Sequence, residues 1–242
     1  MAIGARANTY NFVVTFFAAL GSFTYGYNSA IMGSVIGLPS FFPYLDIVES
    51  SAKGSSIIGA INGVYYGGGA LGCWTIGYLA DYFGRRRCIR IICIGCIISA
   101  GLQAGSVHIA MLLVARLLNG FCIGLMNSIV PTYQSEIAPA AQRGRLVGAH
   151  GFIICIGYVG YVLVCGGDDA DGLQAMAGWA GYGAYFETNA AIQWRLVLAL
   201  QAVAPLILLI GSPCLPESPR WLISRGHDAE GQSEAHTPDH PH

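Results

Sequence analysis

Along this chain of 242 residues the apolar positions come in long runs, separated by short polar clusters. An α-helix needs about 20 consecutive apolar residues to cross the hydrocarbon core of a bilayer. Six stretches meet that requirement: Tyr10–Met32, Ser56–Leu79, Ile91–Val107, Ile109–Tyr133, Leu146–Cys165 and Trp194–Pro213. The third and fourth are parted only by the turn around His108, so they form a tight hairpin. The first is preceded by a single Arg, is too long for a signal-peptide core and lacks a small-x-small exit site, so it reads as a retained helix. The organisation is then a short terminus over residues 1–9, a six-helix bundle over 10–213, and a polar segment with a tail over 214–242.

Composition agrees with this pattern. Hydrophobic residues make up 54% of the chain and charged residues 10%, against about 25% charged in soluble domains. Mean hydropathy is +0.55. The class is an all-α membrane protein, with the lipid bilayer as its first partner. With 12 Lys+Arg against 13 Asp+Glu, no basic surplus points to nucleic acid. The few charges fix orientation. With the amino terminus inside, Arg6, Arg85, Arg86, Arg87, Arg90, Arg143, Arg145, Arg220 and Arg225 fall on the inner side, and only Lys53 and Arg195 on the outer. Positive charge collects on the cytosolic side, so both termini are expected in the cytosol, most simply at the plasma membrane.

Candidate chemistry lies in the polar and small residues. Cys93 and Cys96 form a CxxC without a second pair or a His cluster, so the cysteines read as packing residues and no metal or cofactor is expected. Gly59, Gly63 and Gly67 recur every fourth residue, followed by Gly68, Gly69 and Gly72. This puts small residues on one helix face, for static packing or for a bundle that rocks. Arg116, Gly120 and Gly124 share a face of the fourth helix. An intramembrane Arg either faces the bundle interior and finds an acceptor or snorkels to an interface. Tyr25-Gly26-Tyr27-Asn28 is a polar patch in the first helix; Asn28 either bonds a buried Arg or a polyhydroxylated solute, or only a neighbouring helix. At the inner face lie Gly77–Arg87, Pro131–Pro139 with Arg143-Gly144-Arg145, and Pro216–Leu222. There Glu136, Arg143, Glu217 and Arg220 supply both charge signs, suited to salt bridges that lock one conformation. The spans hold no paired carboxylates, no HExxH and no Ser/His arrangement, so nothing is placed for enzyme catalysis.

These residues together resemble the amino-terminal half of a sugar transporter of the major facilitator superfamily, similar to fungal hexose or disaccharide carriers. The likeness rests on GYN at Gly26–Asn28, GYLADYFGRRR at Gly77–Arg87, Arg116-x-x-x-Gly120-x-x-x-Gly124, PTYQSEIAP at Pro131–Pro139, RGRLVG at Arg143–Gly148, WRLVLALQ at Trp194–Gln201 and PESPRWL at Pro216–Leu222. It implies twelve helices in two six-helix halves, with sugar bound between them near the midplane. Carried over, Asp81, Gly84, Arg85 and Arg86 belong to the inner gate, and Glu136, Arg143, Glu217 and Arg220 to a cytosolic charge network. Tyr25, Asn28, His150, Gly151, Ile154 and Tyr158 line the sugar cavity.

Two departures matter. Proton-coupled relatives usually carry Asp at the position of Asn28, paired with the Arg matching Arg116; Asn exchanges no proton, so facilitative transport is expected. Gly151 stands where most members have a sugar-binding Gln. After PESPRWL the family continues into six further helices, whereas here His227–His242 form a polar, Pro-containing tail. The chain is therefore expected to be a fragment or truncated gene product that transports poorly without a carboxy-terminal half. A transport-incompetent sugar sensor of the same fold is the alternative.

Overall fold

The computed structural model describes residues 20–33, 35–36, 41–44, 52–137, 143–162 and 190–225. Residues 20–33 form α1, and Phe41–Tyr44 a short α2. Ala52–Phe83 is α3, Arg85–Ala104 α4, Ile109–Ile137 α5 and Arg143–Val162 α6. Ala190–Leu200 is α7, Val203–Gly211 α8 and Pro219–Ser224 α9, with a 3₁₀ turn at Ser212–Cys214. The described residues hold helices and their connections, without strands. The expected 1–9 terminus, the start of the first span (Tyr10–Ala19), the outer segment around Asp168 and the tail His227–His242 lie outside the described residues.

Three helical stretches combine length with apolar composition: Arg85–Ala104, Ile109–Ile137 and Trp194–Gly211; Val147–Gly157 is a shorter apolar stretch. Helix α3 has 32 residues, about 48 Å at 1.5 Å per residue, so it outruns a hydrocarbon core of about 30 Å.

Several boundaries differ from the sequence expectation, for local physical reasons. Helix α3 runs on to Phe83 and α4 begins at Arg85, so the Gly77–Arg87 cluster is helical on both sides of one joint residue. That residue is Gly84, at φ 85° and ψ 159°, a conformation essentially restricted to glycine. Its N–H donates to the Ala80 carbonyl at 3.1 Å, and its own carbonyl accepts from Cys88 at 3.1 Å. One residue thus ends one helix and starts the next. Pro131–Ile137, expected between helices, forms the last two turns of α5. The sixth span breaks at Gln201-Ala202, because Pro205 cannot donate to the carbonyl four residues back and its ring crowds that carbonyl. The break is bridged by Ala202 N–H to Ala199 O at 3.0 Å.

Two apolar clusters hold the bundle. Toward the arginine-rich end, Cys88, Ile92, Cys93 and Cys96 of α4 pack on Ile123, Met126, Ile129 and Tyr133 of α5. Toward the other end, Ile31 and Met32 of α1 meet Ile61, Leu112, Trp194 and Val197, with Phe41 set edge-on to Trp194 at 6.0 Å. Between them the backbones close in. A Cβ on Gly120 would strike the Tyr65 backbone, and one on Gly124 the Gly69 backbone. Gly68 and Gly72 meet the backbone of Leu117 and Phe121 in the same way. Helices α1 and α6 touch at Gly26 and Gly157, where a Cβ on Gly157 would lie 3.0 Å from Gly26 Cα.

The expected glycine stripe is corrected by this geometry. Gly59, Gly63 and Gly67 face away from the described helices, and a Cβ on any of them meets nothing within 4 Å. The packing glycines of α3 are Gly68 and Gly72, offset from the stripe by about 100° per residue.

Candidate functional site

At the arginine-rich end, four elements converge on Gly84. Arg85, in the first turn of α4, grips Glu136 at the end of α5 with two bonds: Nε to Oε2 and Nη2 to Oε1, both 3.1 Å. Such a forked pair is geometrically specific. The Arg85 and Glu136 side chains are only 12% and 5% exposed. Nη1 of Arg85 also donates to Asp81 at 3.0 Å and to the Ala80 carbonyl at 3.1 Å. Ser218 Oγ donates to Glu136 Oε2, the oxygen that also accepts from Arg85 Nε, at 2.5 Å.

Glu217 closes the other flank. It accepts the Arg86 backbone N–H at 3.0 Å, placing a carboxylate at the positive end of the α4 dipole. The same carboxylate lies 3.1–3.3 Å from where a Gly84 Cβ would stand. Arg86 reaches the carbonyls of Ser212 and Pro213 at 3.2 and 2.6 Å, and Arg90 donates to Ser212 Oγ at 3.0 Å. Tyr133 donates to Pro216 O at 2.9 Å, and Trp221 Nε1 to Asp81 O at 3.0 Å. The segment after α8 is therefore stitched onto α3, α4 and α5.

The expected charge network is rearranged accordingly. The base that meets Glu136 is Arg85, and Glu217 holds a backbone amide. Arg220 is exposed and makes no ion pair among the described residues. Arg143 begins α6, but its side chain lies outside the described residues.

The second cluster sits in the membrane layer. Arg116 is 1% exposed, so it does not snorkel. Its Nη2 lies 2.7 Å from the Met32 thioether, and its guanidinium carbon is 5.5 Å from the Tyr65 ring centre. The Tyr65 hydroxyl shares a hydrogen bond with Ser29 at 3.2 Å. The bond considered between Asn28 and Arg116 is not made. Asn28, also 1% exposed, donates to Thr24 O at 2.9 Å, and its Oδ1 has no partner among the described residues. A soft sulfur and an aromatic face take the place of an oxygen acceptor for Arg116.

Of the other residues expected to line the cavity, His150 Nδ1 shares a 2.6 Å hydrogen bond with Ser22, joining α6 to α1. Gly151 is exposed, with open space where a side chain would stand. The Ile154 carbonyl packs against Gly26. Tyr158 lies on α6 with its side chain outside the described residues. Tyr25 lines a cleft with Tyr65, Tyr66, Cys73 and Asn127; the last four were not picked out from sequence. Asn127 follows Arg116, Gly120 and Gly124 at helical spacing, so extending that stripe by one turn would have found it. Among the described residues no three His, Cys, Asp or Glu side chains are grouped to hold a metal ion.

The family model described as "Sugar (and other) transporter" matches residues 14–237. The chain belongs to this sugar transporter family. It is 39% identical over 212 residues to the MFS-type transporter criB of Aspergillus cristatus, covering 88% of this chain and 40% of that one. To the glucose transporter GlcP of Staphylococcus epidermidis it is 34% identical over 229 residues, covering 94% and 44%. Among solved structures, the proton:xylose symporter XylE bound to 6-bromo-6-deoxy-D-glucose superposes with a TM-score of 0.72 at 26% identity, over 95% of this chain and 50% of that one. The inward-open xylose transporter XylE from E. coli gives 0.66 at 25% identity. The fold is thus the six-helix half of a major facilitator transporter. This sugar transporter family member spans about two-fifths of the length of these curated relatives.

Proposed function

We propose that this chain supplies the amino-terminal half of a facilitative carrier for a hexose or disaccharide. It works by alternating access against a second six-helix half. The membrane domain is the bundle over 10–213, sited in the plasma membrane with the arginine-rich end and both termini in the cytosol. The greater length of its relatives supports the second half, and the basic residues support the orientation.

The observation that carries the facilitative reading is where the carboxylates lie. Asp81, Glu136 and Glu217, the carboxylates among the described residues, all sit at the arginine-rich end. The membrane layer offers Asn28 and Arg116 instead, and an amide exchanges no proton across a physiological pH range. Sugar then crosses down its own gradient, and Arg116, sequestered by Met32 and Tyr65, serves as a fixed structural charge.

In this reading the cluster around Gly84 is a latch, and its residues have two jobs. Arg85, Glu136, Glu217 and Gly84 hold this half together as a rigid body. Asp81, whose side chain is 76% exposed, and the exposed Arg220 face outward from it, where charges of the opposing half would close on them when the cytosolic side is shut. Tyr25, Asn28, His150, Ile154 and Tyr158 lie on the helices that border the sugar path, with Gly151 leaving room there.

Uptake of labelled hexose in carrier-deficient cells tests this reading. The chain would be expressed alone and beside the carboxy-terminal half of a full-length relative. Expected are negligible uptake alone, saturable uptake with the second half, and no dependence on a proton gradient. Asn28→Asp should introduce pH dependence. Proton-driven accumulation by the unmutated pair overturns the facilitative reading and directs attention to His150. Robust uptake by the chain alone overturns the half-carrier reading.

A further inference from the structure

The cleft beside Tyr25 is lined by aromatic rings, a thiol and an amide. It lies between α1, α3 and α5, has a volume of about 160 Å³, and is lined by Tyr25, Tyr65, Tyr66, Cys73 and Asn127 over glycine backbone. A single water needs about 10–15 Å³ of such space, so the cleft is far too large for one. Complete small-molecule sites start near about 300 Å³, so it fits one face of a ligand and leaves the rest to be covered by another surface.

Its walls are preset. The Tyr65 and Tyr66 rings meet edge to face at 5.3 Å and 74°, and Tyr65 is held by Ser29 and by Arg116. Cys73 is tied to the Gly124 carbonyl at 3.3 Å. The close backbone approaches at Gly120 and Gly124 fix α3 against α5. Asn127 is half-buried, and its amide makes no hydrogen bond among the described residues. No charged side chain lines the cleft.

We propose that this cleft is a subsite for one pyranose ring of a neutral sugar, with Asn127 as the residue that reads its hydroxyls. An amide offers two N–H donors and a carbonyl acceptor side by side. It donates to one hydroxyl oxygen and accepts from its vicinal neighbour. The apolar C–H face of the ring lies on the tyrosines, and sugar phosphates and acids are refused because no cation stands ready to pair with them. The assignment rests on the carrier reading and names the face of the path on which this half holds its substrate.

Cys73 reports on the cleft, and Cys155, exposed on α6 and absent from the lining, is the control. N-ethylmaleimide labelling of both would be followed by mass spectrometry in vesicles carrying the chain and its second half. With D-glucose at about four times its Kd, occupancy slows Cys73 labelling about fivefold. Cys155 keeps its rate, and neither mannitol nor glucose 6-phosphate protects. Asn127→Ala abolishes the protection while leaving Cys155 labelling and thermal stability as they were. Protection unchanged in Asn127→Ala overturns the assignment, as does equal protection of Cys155. Absence of protection while hexose uptake proceeds overturns the subsite and leaves the carrier standing. Absence of both uptake and protection removes the carrier reading and the subsite with it.

Discussion

Glu136 and Asn28 belong to the same bundle and are both buried, yet their surroundings differ in kind. Glu136 accepts two bonds from Arg85 and one from Ser218. Asn28 Oδ1, both amide atoms of Asn119 and Arg116 Nε have no partner among the described residues. At the arginine-rich end, side chains hold the helices. In the membrane layer the backbones hold each other, Gly124 against Gly69 and Gly120 against Tyr65, and several buried polar atoms have no partner among the described residues. This division suits the proposed half-carrier, whose gate would keep its shape while its inner face meets the solute.

The comparison is most easily broken at Glu136. Glu136→Ala strips Arg85 Nε and Nη2 and Ser218 Oγ of their acceptor, leaving Arg85 only Asp81 and the Ala80 carbonyl, and removing one partner of a largely buried ion pair costs about 3 kcal/mol. Arg220→Ala, at an exposed site, should stay within about 0.5 kcal/mol. Heat unfolding of the purified chain in micelles, followed by circular dichroism, measures both. A loss at Arg220 equal to that at Glu136 would mean that the latch is drawn around the wrong arginine.

Next in size is Gly84→Ala. The backbone at φ 85° and ψ 159° costs a non-glycine residue about 1–3 kcal/mol, and the new Cβ would crowd the Glu217 carboxylate. A loss of about 2.5 kcal/mol is expected by the same measurement. An unchanged melting curve would show that α3 and α4 can be joined without this residue.

In the membrane layer, Gly124→Ala should cost about 2 kcal/mol, because the methyl group must push the Gly69 backbone away. Gly63→Ala, in the interior of α3 on its open face, meets no neighbour and should raise stability by about 0.5–1 kcal/mol, the ordinary gain of Ala over Gly inside a helix. Similar losses at both positions would erase the distinction between the packed and open faces of α3.

These pairs also show what was legible in sequence. Apolar run length located the helices, and the turn at His108 follows from its polar context. Pro205 announced a break that was not read. The boundaries at Gly84 were missed because three arginines look like a loop, although Arg is a good helix former whose long side chain reaches polar ground from within a helix. The four-residue period of Gly59, Gly63 and Gly67 was plain, but a period does not say which face finds a neighbour; that depends on where α5 lies. Likewise both charge signs were visible at one end, while the choice of Arg85 over Arg143 or Arg220 as the partner of Glu136 depends on three helix ends meeting in space. Asn127 was missed although it extends the stripe begun by Arg116, since a lone Asn carries no motif.

The smallest effect tests the membrane layer most directly. Asn119 is fully buried on α5, and neither amide atom has a partner among the described residues. Replacing an unpaired buried polar group with an apolar one of similar shape is neutral or stabilising, so Asn119→Leu should raise stability by about 0–1 kcal/mol. The same change at a satisfied amide would leave partners stranded and cost about 1–3 kcal/mol. The sign of one measurement therefore decides between them. If Asn119→Leu is stabilising and lowers uptake by the reconstituted pair, the amide is retained for what it meets during transport. If it is destabilising, the membrane layer is as tightly bonded as the latch, and the contrast between the two regions fails.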